Sequence, residues 1–176
     1  MSTQSAARIL VLAGSEFACV KIAGRANFGS SIDFRSLAEG LVGKGCRYFV
    51  LDLSECVLMD STFLGVLAGF GLKLGGPQPR EEDKSIELLN PSPRILDLLE
   101  NLGVLHLFKV RQGLADLPAN TTAEEQPSVG ASKEELTRAS LEAHKTLMEI
   151  NPENVTRFKD VARFLQEDLN RMQSQQ

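Results

Sequence analysis

Residues 48–74, YFVLDLSECVLMDSTFLGVLAGFGLKL, decide the fold. Residues 48–53 are apolar apart from one acid, as expected of a central strand covered on both faces. Residues 63–74 are apolar nearly all round, which implies a helix packed deeply on a sheet. Between the two stand Asp60, Ser61 and Thr62. A strand-to-helix turn needs a side-chain acceptor for the first unpaired N–H groups, and Asp or Ser supplies one. An acid there also suits the positive end of the helix dipole. A cap accounts for the trio without any chemistry, whereas a hydroxyl at this place is also a handle for modification.

Upstream, residues 8–13 and 18–23 are short apolar runs around the turn GSEF and read as a hairpin. Residues 24–31 (GRANFGSS) read as a loop of small residues with Ser30 and Ser31 as candidate N-caps. Phe34, Leu37, Ala38, Leu41 and Val42 then follow helical spacing, closed by Gly43 or Gly45. Downstream come a polar loop at 75–84, a strand at 86–89 and a helix begun by Ser92-Pro93 with Ile95, Leu98, Leu99 and Leu102 on one face. A last strand is expected at 107–110. Strands alternating with helices predict an α/β fold, a mixed sheet of about five strands with helices packed on it.

Composition shifts after Arg111. Residues 116–132 (DLPANTTAEEQPSVGAS) carry two prolines and few large apolar groups and read as a flexible linker. Ser132 and Glu135 then have capping-box spacing. Leu136, Leu141, Leu147 and Ile150 mark one helix, Asn151-Pro152 ends it, and Val155, Phe158, Val161, Ala162, Leu165, Leu169 and Met172 mark a second. The expected division is a domain over 1–113, a linker over 114–132 and a helical hairpin over 133–176. The hairpin is too small to fold alone. Its stripe can be buried against the domain, against a second copy in a homodimer, or by a partner; it can also cover the Ser61 face.

The net charge of -4 and pI near 5.3 argue against nucleic acid or an anionic membrane surface as the main partner. Cys19, Cys46 and Cys56 lack ligand spacing and sit by apolar runs, so they read as buried hydrophobes in a reducing cytoplasm. No signal peptide or membrane span is expected, and no metal or cofactor. Catalysis finds little support. His106 and His144 are both distant from Ser61 in sequence, G-x-S-x-G is absent, and Gly75-Gly76-Pro77 lacks the Lys-Ser/Thr of a phosphate loop.

Leu51-Asp52-Leu53 followed by Met59-Asp60-Ser61-Thr62-Phe63-Leu64-Gly65 resembles the centre of the STAS domain, the module of anti-sigma factor antagonists. There the pattern is apolar-Asp-apolar, a short turn, and Met-Asp-Ser-Ser-Gly-Leu-Gly. Gly24, Asn90-Pro91-Ser92 and Leu102-Gly103 extend the likeness over about residues 8–111. The resemblance implies a phospho-regulated binding module rather than an enzyme. Its partner would be an anti-sigma factor that is also a serine kinase, or a related signalling protein, with a phosphatase acting in reverse. Ser61 then matches the phosphoacceptor, Thr62 an alternative acceptor, and Asp60 the supporting acid. Gly24, Asn27, Phe28, Asp60, Ser61, Thr62 and Phe63 would form the partner face. A non-switching scaffold subunit is the other reading. Two departures stand out: Phe63 replaces the usual glycine, and GRANFGSS lacks the usual acid after its first glycine. Phe63 is either an exposed anchor for a partner or part of the core.

Overall fold

The computed structural model describes residues 7–114 and 123–175. Arg8–Ala13 (β1) and Phe17–Ala26 (β2) form the expected antiparallel hairpin, with Val11 opposite Val20. Tyr48–Asp52 (β3) lies parallel to β2, with Val20 opposite Leu51. Cys56–Met59 (β4) pairs in parallel with the far end of β2, Arg25 opposite Leu58. Ile86–Leu89 (β5) and Lys109–Arg111 (β6) extend the sheet in parallel from β3, and Glu124–Glu125 (β7) adds antiparallel to β1. The described sheet thus has seven strands in the order β6-β5-β3-β2-β1-β7, with β4 beside β2.

Phe28–Gly43 (α1), Ser61–Gly75 (α2), Pro93–Asn101 (α3), Lys133–Ile150 (α4) and Asn154–Ser174 (α5) complete the chain. Alternation along the strands separates two faces. Ala18, Val20, Ile22, Phe49, Leu51, Ile86 and Leu88 enter the main core with residues of α1, α2 and α3. Cys19, Val50 and Leu89 point the other way into a small cluster with Leu12, Phe17 and Tyr48. All three thiols are free and buried, and burial pushes Cys19 and Cys56 above the usual thiol range.

Three expectations need correction. Residues 24–31 are not a loop: 24–26 belong to β2, held there by pairing with β4. Nor are Ser30 and Ser31 the caps. Asn27 caps α1, its side chain accepting from Ser30 N–H at 3.1 Å while Ser30 Oγ accepts from Asn27 N–H at 2.9 Å. This reciprocal box satisfies two donors at once, which neither serine could do from inside the first turn. Third, the expected linker is anchored in its described part. Gln126 N–H donates to the Ile9 carbonyl, Val129 N–H donates to Asp33 at 2.8 Å, and Arg8 pairs with Glu125. The remainder of that linker, 115–122, lies outside the described residues.

The two C-terminal helices pack back on the domain. Ser140, Ala143, His144 and Leu147 stand at i, i+3, i+4 and i+7 of α4, the spacing of one helix face, and the last three are buried. Leu141 turns instead toward Ala162 and Leu169 of α5. Asn154, fully buried, donates from Nδ2 to the Leu102 carbonyl at 2.9 Å and the Leu147 carbonyl at 2.8 Å, pinning the bend of the hairpin to the end of α3. The near-total burial of α2 follows from this arrangement: the sheet covers one side and α4 the other.

Candidate functional site

The site forms where β2 and β4 end together. Asp60 follows β4 and caps α2, its Oδ1 accepting from Phe63 N–H at 2.9 Å. Its Oδ2 accepts from Phe28 N–H at 2.7 Å, and Asp60 N–H donates to the Ala26 carbonyl. One carboxylate therefore joins the starts of α1 and α2. Gly24, with φ +98°, lies further back in β2, opposite Cys56, and donates its N–H to the Glu55 carbonyl. Asp60→Ala is expected to remove about 1–2 kcal/mol of stability, the usual worth of a cap with an added charged hydrogen bond, in a urea unfolding curve. Asp60→Asn keeps one acceptor oxygen and is expected to lose about half as much.

Ser61 is the first residue of α2 and is half-buried. Its Oγ lies 2.8 Å from Nε2 of His144. His144 Nδ1 lies 2.6 Å from the Ser140 carbonyl, which can only accept, so Nδ1 carries the ring proton. In the neutral ring Nε2 is then the acceptor and the Ser61 hydroxyl donates to it. Next to this pair, Thr62 Oγ1 and Ser140 Oγ are 2.9 Å apart. The imidazole rests edge-on against Phe158 with centroids 5.0 Å apart, and His144 is only 4% exposed.

Of the residues expected at a partner face, Asn27, Phe28, Asp60 and Ser61 are brought together here, whereas Gly24 lies back along β2 opposite Cys56. Phe28 is 52% exposed and supplies the surface aromatic. Thr62 is buried beneath α4. Phe63 is 0% exposed, so its place among the contact residues is corrected: its ring packs 5.3 Å from that of Phe34 in the core. As the third residue of α2 it points at α1 and the sheet, and a partner cannot touch it. Sequence reasoning passed over Ser140 and set His144 aside as too distant from Ser61 along the chain. Their signal was a polar pair within the apolar stripe of α4, matched by an α2 apolar on every side with Gly65 and Gly69 one turn apart.

The approach of the two helices depends on the first of those glycines. A Cβ on Gly65 would lie 2.5 Å from the Ala143 carbonyl oxygen, and one on Gly69 would touch Thr146. A groove of about 170 Å³ remains between α1, α2 and α4, lined by Phe34, Ala38, Gly65, Phe70 and Ala143 among others. Among the described residues there is no cluster of three metal-ligating side chains, and no helix is long and apolar enough to cross a membrane.

A model of the STAS domain matches residues 9–117. A STAS-domain containing protein of Pseudomonas aeruginosa (strain UCBPP-PA14) is 34% identical over 91 residues, 52% of this chain and 84% of that protein. Among solved structures, an anti-sigma factor antagonist from Mycobacterium paratuberculosis is 18% identical with a TM-score of 0.53, covering 64% of this chain and 91% of that one. The anti-sigma factor antagonist SpoIIAA in its unphosphorylated form is 18% identical with a TM-score of 0.48, covering 58% and 86%. With the family model spanning more than half of its length, the chain belongs to the STAS domain family.

Proposed function

We propose that this protein is a phospho-regulated binding module of the anti-sigma factor antagonist type, acting in the cytoplasm without a cofactor. Its partner is an anti-sigma factor serine kinase or a related signalling protein, and Ser61 is the phosphoacceptor. The observation that carries this reading is the placement of Ser61: a hydroxyl at the first position of α2, directly after the capping Asp60, whose carboxylate also holds the backbone N–H of the exposed Phe28. A helix N-terminus tolerates a phosphate, because its free N–H groups and dipole favour an anion. The domain itself is therefore expected to survive modification. A partner that buries a neutral hydroxyl must instead accommodate about -1.5 to -2 charges. Moving a complex from 99:1 bound to 1:99 takes roughly 5.5 kcal/mol, within reach of an unpaired buried dianion. A phosphatase acting on Ser61 resets the module.

Thr62 is the weaker acceptor, since it is buried beneath α4 and paired with Ser140. The test is co-purification of tagged chains from native cells. Ser61→Ala is expected to retain the partner and Ser61→Asp to lose it by tenfold or more, on the order of 1.4 kcal/mol or above. Equal recovery by both variants would favour the non-switching scaffold reading.

A further inference from the structure

The α4–α5 hairpin does more than bury its own stripe: it covers the hydroxyl on which the proposed switch depends. The contact is direct, with Ser61 Oγ donating to His144 Nε2 at 2.8 Å. Phosphorylation moves the terminal phosphoryl group of a nucleoside triphosphate to Ser61 Oγ. The new O–P bond forms as the bond to the diphosphate breaks, and the hydroxyl proton leaves to a base. That proton is the one His144 accepts here. A phosphoserine has no proton to donate to a neutral imidazole, and its phosphorus and oxygens need the space the ring now fills.

The ring cannot retreat on its own. Nδ1 is fixed on the Ser140 carbonyl, and Phe158 backs the ring. Making room therefore requires α4 itself to shift, which also separates Thr62 from Ser140. The seam near Ser61 is suited to such a shift. It is made of Gly65, Gly69, Ala139, Ser140 and Ala143, leaves a groove unfilled, and carries one surface ion pair, Arg35–Glu142 at 3.1 Å. Hydroxyl pairs and exposed ion pairs contribute little net stability. The firm anchorage lies at the other end, where Leu147 and Asn154 are fully buried.

We propose that the hairpin is a cover gated by Ser61. Its Ser140–His144 end is docked while Ser61 is a free hydroxyl and released when Ser61 carries a phosphate. In the unmodified chain the kinase and the binding partner reach Ser61 only during transient opening of this end, so the hairpin competes with both; once Ser61 is phosphorylated the end stays open, and the phosphate itself excludes the partner. This inference rests on the reading of Ser61 as the phosphoacceptor.

The test is hydrogen–deuterium exchange on the full chain, with phosphoserine placed at position 61 by genetic-code expansion. Amides of residues 133–146 are expected to exchange on the order of tenfold faster than in the unmodified chain, while β3 and β5 stay protected. Unchanged or slower exchange in 133–146 would overturn the inference, slower exchange meaning that a protonated His144 clamps the phosphate. Ser61→Ala serves as a second variant, expected to leave the cover docked because it adds no bulk; its release would show that the lost hydrogen bond, not the phosphate, opens the hairpin, and would equally overturn the gate. The two proposals fail separately. Release by phosphoserine in a chain never phosphorylated in cells would refute the switch and keep the gate. A phosphate found on Ser61 with the hairpin still docked would do the reverse.

Discussion

A single methyl group at Gly65 is expected to lift the C-terminal hairpin off the domain. In Gly65→Ala the new Cβ would stand 2.5 Å from the Ala143 carbonyl oxygen and 2.7 Å from the Ala143 Cβ, and backbone cannot yield as a flexible side chain can. Within α2 the same change is favourable, since Ala exceeds Gly in helix propensity by about 1 kcal/mol. The strain therefore falls on the seam and not on the helix. Lys133, Arg138 and Lys145 of α4 are exposed already, but a loosened α4 can unfold locally into the trypsin site, and cleavage there is expected to accelerate on the order of tenfold or more while the rest of the domain resists. Unaltered cleavage would mean that α4 and α2 do not approach as closely as described.

The second large effect is at Phe63. Phe63→Ala is expected to cost about 3–5 kcal/mol in urea or thermal unfolding, the range for emptying a buried aromatic site. The ring is wholly buried and leads a chain of aromatic contacts, Phe63 to Phe34, Phe34 to Phe70 at 6.1 Å and Phe70 to Phe49 at 5.0 Å. Such pairs add about 0.5–1.5 kcal/mol beyond area burial. Where the family motif has glycine, this chain thus fills the space between α1 and α2 with an aromatic core. Loss of stability below 1 kcal/mol would place the ring at the surface after all.

The outline of the fold was legible because its main elements carry strong local signals. The apolar run of β3, the caps Asp60 and Ser92, and the stripe of α1 each follow from residue chemistry over a few positions. β4 escaped because four residues between two turns carry little periodicity. β7 escaped for a different reason. Glu124 and Glu125 have no strand preference, and they pair with β1 through main-chain bonds and the Arg8 ion pair. At the site, Asp60 and Ser61 could be found because cap and motif coincide in one short stretch. His144 could not: it is 83 residues from Ser61, and the two meet only once α4 crosses α2. The direction of Phe63 was likewise undecidable from spacing, because an all-round apolar helix does not say which side meets the sheet. Once the hairpin is in place the composition of α2 makes sense, as a helix with two covered faces.

The most direct measurement compares Ser61 phosphate occupancy in the wild-type chain and in Gly65→Ala, both purified from native cells and mapped by mass spectrometry. Phosphate is expected on Ser61 in both, with severalfold higher occupancy in Gly65→Ala, where the cover is loosened, and none on Thr62 in the wild type. Absence of phosphate from Ser61 in both chains, while trypsin shows the hairpin of Gly65→Ala to be loose, would contradict the central claim.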